Sequence, residues 1–79
     1  MNKERRSELE DIASELEDIA CRLEEVQSDE QDAFDNLPEG LQYSVTGERM
    51  EGYIDMIQDR IDQVRECAES VLEIVKTKL

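Results

Sequence analysis

The side chains of this 79-residue chain that can do chemistry are 22 carboxylates, nine Lys or Arg, two thiols and a scatter of hydroxyls; histidine is absent. Imidazole catalysis and imidazole metal ligation are therefore excluded. Cys21 and Cys67 are too few for a thiolate zinc site, which takes about four ligands in paired spacings. If the chain folds back near residue 41, Cys67 stands across from about residue 15, and the offset to Cys21 is roughly 9 Å at the helical rise. That is beyond disulfide reach, so both are read as free thiols in a reducing compartment. Without imidazole no nucleophile–base pair can be assembled, and the expectation is a non-enzymatic protein with no cofactor and no metal.

Carboxylate pairs at helical spacing recur, as in Glu8/Asp11, Glu15/Asp18, Glu48/Glu51, Asp55/Asp59 and Asp59/Asp62. Residues three or four apart on a helix project together, and all-helical nucleotide pyrophosphatases hold Mg²⁺ in this way, on acids that face into the bundle. Here the aliphatic positions between the pairs form the inner stripe and the acids fall outside. Asp29-Glu30-Gln31-Asp32 lacks the glycine and the spacing of an EF-hand loop. The acids are also unevenly distributed: residues 7–35 hold 12 of them against one base, Arg22. A net charge of −13 argues against direct nucleic-acid binding, which needs clustered Lys and Arg. Such a surface instead solubilises a small protein or imitates a nucleic-acid backbone before a basic host protein.

Chemical variety is concentrated in one place. Between Asn36 and Tyr53 the chain places Asn36, Gln42, Tyr43, Ser44, Thr46, Arg49 and Tyr53. Free amides where a helix starts attract anions; Arg49 would add the positive contact, Ser44 and Thr46 hydroxyl donors, Tyr43 or Tyr53 a stacking surface, Asn36 and Gln42 polar edges. These seven are the candidate ligand-binding residues for a small anionic, nucleotide-type ligand. Ser, Thr and Gly at a helix start are also ordinary capping residues, and the aromatics could equally close the core.

The elements that must position them are legible from periodicity. Ser7–Ala13 (SELEDIA) recurs letter for letter as Ser14–Ala20, and Cys21–Gln27 keeps the shape. Apolar residues fall at Leu9, Ile12, Leu16, Ile19, Leu23 and Val26, a narrow seven-residue stripe of the coiled-coil kind, with Ala13 and Ala20 beside it and Glu30 breaking it. A second pattern runs Met50, Ile54, Ile57, Ile61, Val64, Ala68, Val71, Val75, widened by Tyr53, Cys67, Leu72, Ile74 and Leu79. Pro38 forbids one continuous helix. Asn36 with Glu39 has the form of a capping box for a short turn over Pro38–Gln42, and Thr46 is placed to cap the second helix.

The reading is all-α: a single domain over 1–79 with a helix over about 4–35, a structured connector over 36–46 and a helix over about 47–77, folded as an antiparallel hairpin. So small a hairpin has too little core by itself, and the wide second face calls for another chain, so a homo-oligomer such as a four-helix bundle is expected. Its interface residues would be Leu9, Ile12, Leu16, Ile19, Leu23, Ile54, Ile57, Ile61, Val64 and Val71. Lys76 and Lys78 should join Lys3, Arg5 and Arg6 at the hairpin's open end. No apolar run is long enough for a membrane span and no apolar signal region opens the chain, so a cytoplasmic location without membrane contact is expected.

Asp29–Glu51, DEQDAFDNLPEGLQYSVTGERME, resembles a stretch of small acidic helical proteins encoded by bacteriophages and prophages. FDNLPEGLQ followed by GERME carries the resemblance, over about 23 residues plus the acidic heptads on either side; no functional residue transfers with it. It implies a context, that of small counter-defence proteins in a host cytoplasm that bind a host protein or sequester a nucleotide-derived signal. The readings that follow are sequestration at connector pockets shared between subunits, blockade of a basic host protein by the acidic surface, or a purely structural or regulatory coiled coil.

Overall fold

The computed structural model describes residues 1–77; Lys78 and Leu79, expected at the open end and on the wide face of the second helix, lie outside the described residues. Helix α1 spans Lys3–Asp35, a short turn of helix α2 spans Glu39–Gln42, and helix α3 spans Val45–Lys76. The two long helices pack along their length as an all-α hairpin, with no strand among the described residues.

Local chemistry fixes the ends. The Asn2 side chain accepts from the Arg5 amide at 2.9 Å and starts α1, a cap of the ordinary Asx kind. At the other end Asn36 closes α1, its amide donating to the Asp32 carbonyl at 3.0 Å. It does not cap α2 as the spacing to Glu39 suggested: Pro38 stands at that position and α2 has no side-chain cap. The cap of α3 is Ser44, two residues earlier than Thr46; its hydroxyl accepts from the Gly47 amide at 3.4 Å and donates to the Leu41 carbonyl. Gly47 decides this. A β-carbon there would lie 2.7 Å from the Leu41 carbonyl oxygen and nearer still to that of Gln42, so only glycine lets the connector press this closely on the start of α3.

The core is one line of small contacts. Ala13, Ala20, Ile61 and Ala68 are the buried apolar residues, and of these only Ile61 is large. Leu9, Leu16 and Leu23 share the α1 side with the alanines, half-buried, while Ile54, Ile57, Val64, Val71 and Val75 line α3. The intramolecular seam of α1 therefore runs Leu9–Ala13–Leu16–Ala20–Leu23, one position round the helix from the stripe of largest residues. Ile12, Ile19 and Val26 stand outside it, 39%, 43% and 55% exposed. Alanine permits close approach of the helices; the isoleucines are left over.

Candidate functional site

The connector uses several of its polar residues on itself. The Gln42 side-chain amide reaches the carbonyls of Phe34 and Leu37, at 3.5 and 3.4 Å, and ties the connector to the end of α1. Ser44 is engaged as the cap, and Asn36 ends α1 through its backbone. Tyr43 projects outward, 83% exposed. Thr46, Arg49 and Tyr53 are exposed on α3, and their steps of three and four place them on one side of that helix. The structure thus divides the seven candidates: Asn36, Gln42 and Ser44 build the turn, whereas Thr46, Arg49 and Tyr53 share a helix face and Tyr43 is exposed just before the cap of that helix.

That face continues down the hairpin. Tyr53, Met56, Ile57 and Arg60 of α3 meet Leu23 and Glu30 of α1 around a shallow apolar cavity of about 340 Å³. Leu23 also borders the next hollow with Ile19, Arg22, Glu25 and Val26, and Leu9 and Ile12 border another with Met1, Arg5 and Glu8. Tyr53 and Met56 are 52% and 53% exposed, and Ile74, further along, 50%. Tyr53, Arg60, Cys67 and Ile74 recur at steps of seven, as do Ile12, Ile19 and Val26 opposite. One side of the hairpin therefore carries a row of shallow hollows, the one at Leu23 and Tyr53 formed by both long helices and the others by α1 and its start, with exposed apolar residues of α3 continuing beside them.

The other side is polar. Arg65 bridges Glu24 by a hydrogen-bonded ion pair and Glu17 at 3.6 Å. The hydrogen bond to Glu24 is the main cause that holds the guanidinium above its usual value; desolvation opposes it, and the fields of Glu24 and Glu17 add to the rise. Gln27 donates to the Ile54 carbonyl at 3.2 Å and to the Gln58 side chain at 2.9 Å. Sequence reasoning missed these cross-helix contacts, and part of the signal was available: Glu17 and Glu24 lie one heptad apart on the same edge of α1.

The edge of α1 turned furthest from α3 carries Glu4, Asp11, Asp18, Glu25 and Asp32, all exposed and one heptad apart, so about 10.5 Å from one to the next. No group of three Cys, Asp or Glu side chains among the described residues is gathered to hold a metal ion. Cys21 and Cys67 are free and exposed. No described helix is long and apolar enough to cross a membrane. Compared with protein-family models, curated proteins and solved structures, the chain matches none of them.

Proposed function

We propose that this chain is a non-enzymatic binding protein of the counter-defence kind, acting in a host cytoplasm, and that its working surface is the carboxylate edge of α1, presented to a basic host protein. The observation that carries this reading is the unbroken recurrence of acid at the edge opposite the seam, Glu4, Asp11, Asp18, Glu25 and Asp32, all exposed. Solubility alone does not require it. A surface of interspersed signs solubilises as well, and the like-charged pairs four apart that the row makes with its neighbours, Glu4/Glu8, Asp11/Glu15 and Glu25/Asp29, cost a helix a few tenths of a kcal/mol each. A rigid row of one sign attracts and orients a cationic groove, which is the use that offsets that cost. The absence of histidine and the separation of the two thiols support a role in binding rather than turnover.

A second reading rests on a specific placement: Thr46, Arg49 and Tyr53 on one face of α3, with Tyr43 exposed beside its start, would receive a small anionic ligand. Capture from bacterial lysate and a thermal-shift screen of nucleotides and cyclic nucleotides separate the two. The acidic-edge reading expects a salt-sensitive protein partner that is lost with Asp11→Asn, Asp18→Asn and Glu25→Gln together and kept with Arg49→Ala. A nucleotide-induced shift abolished by Arg49→Ala, with no protein partner dependent on the three acids, would replace it with the connector site.

A further inference from the structure

We infer that this apolar side of the hairpin is covered by a second copy of this chain, which turns the one-layer hairpin into a two-layer, four-helix unit; this goes beyond the acidic-edge reading and does not depend on it. Three observations carry it. The hairpin measures 59 × 17 × 11 Å and has a radius of gyration of 17.9 Å, against about 12 Å for a compact domain of this length. It exposes 6161 Å², about 1,200 Å² more than is usual for a folded monomer of its mass. A stable interface takes about 800 Å² from each partner, and the broad face of the hairpin extends 59 × 17 Å. The surplus is large enough to supply that area.

The charge on that side selects the occupant. All eight acids of α3 lie off this side of the helix. The stripe Tyr53, Arg60, Cys67, Ile74 and its flank Arg49, Met56, Gln63, Ser70 contain two arginines and no carboxylate. In a chain with 22 acids that exclusion leaves the α3 half without negative charge, which disfavours a basic peptide as its occupant. The α1 half carries Ile12, Ile19 and Val26, flanked by Glu8, Glu15, Arg22 and Asp29, with Glu25 and Glu30 also lining its hollows. One half is mixed and acid-rich, the other cationic and neutral, so two copies face each other without a solid front of like charge. An isologous contact of this kind needs only one surface that complements itself.

The chain's two thiols test this without mutation, because Cys67 lies in the stripe and Cys21 faces the polar side, both exposed in the single hairpin. At high protein concentration Cys67 should react with a maleimide at least tenfold more slowly than Cys21, and the two rates should converge on dilution. Light scattering over the same range should give twice the 9.2 kDa chain mass. Ile19→Glu should abolish the dimer or helicity, whereas Ser28→Glu on the polar side should leave both unchanged. A fully helical 9.2 kDa species at every concentration, equal and concentration-independent thiol rates, or a dimer that survives Ile19→Glu would each overturn the inference.

Discussion

Gly47 is the residue on which the connector depends, and its role is steric rather than conformational, since no described glycine has a positive φ. Gly47→Ala forces its methyl against the carbonyls of Gln42 and Leu41, backbone atoms that cannot swing away. The expected cost is about 1–3 kcal/mol, the range for overpacking a tight site; Gly40→Ala and Gly52→Ala, which meet open space, should be neutral or mildly stabilising. Urea titration followed by circular dichroism distinguishes the three, and equal behaviour would remove Gly47 from the argument. Ser44→Ala should cost about 1 kcal/mol through the lost cap, with Thr46→Ala showing less. Capping residues are where sequence reasoning slipped by two positions. Ser44 and Thr46 are both hydroxyls a short step before an acid, and propensity ranks them almost equally. The choice was made by the close approach at Gly47, a tertiary contact that no local pattern contains.

At the scale of the helices, the heptad was readable and its rotation was not. A repeat with Leu, Ile and Ala on three neighbouring lines supports a seam on either side of leucine, and the largest residues were the natural choice. The hairpin takes leucine with alanine. Ala20, fully buried against α3, leaves no room for a branched side chain, so Ala20→Ile should destabilise by about 1–3 kcal/mol, while Ile61→Ala, at the one large buried position among the described residues, should cost about 2–5 kcal/mol. The order of these two against Ser14→Ala, an exposed change on the same helix, can be read from thermal melts; indifference to Ala20→Ile would place the seam on the isoleucines after all. Cross-helix polar contacts act differently. Arg65 with Glu17 and Glu24 is an exposed cluster, screened by water and costly to order. Arg65→Ala should leave the melting temperature close to that of the parent. Its value is in register: with Gln27 on Gln58 and Ile54 it fixes which turn of α1 meets which turn of α3. The candidate site was legible to a similar degree. Residue types pointed to the connector, but three of its seven polar residues proved to be occupied in making the turn, because a short link between antiparallel helices must satisfy its own backbone first.

For the whole molecule, self-repulsion outweighs attraction. Twenty-two acids against nine bases are spread over a rod 59 Å long and only 17 Å wide, and neighbouring acids on α1 lie within roughly the 8–10 Å over which physiological salt leaves charges visible to one another. Against this stand the two ion-pair contacts of Arg65 among the described residues. Adding salt weakens both, but the repulsive pairs are far more numerous, so the folded hairpin should gain. The melting temperature is expected to rise monotonically between about 0.02 M and about 0.5 M NaCl, where screening shortens from roughly 20 Å to roughly 4 Å. Acidification should act in the same sense as the pH approaches the isoelectric point near 4.2, because the net charge then vanishes. The two perturbations together are diagnostic. A protein held by its salt bridges would lose stability under both, whereas one held by an apolar seam and opposed by its charge gains under both. If melting fell with salt at neutral pH, Arg65 and its partners would have to be the main support of the fold, and the acidic edge could no longer be read as a field maintained at a structural cost for the sake of a partner.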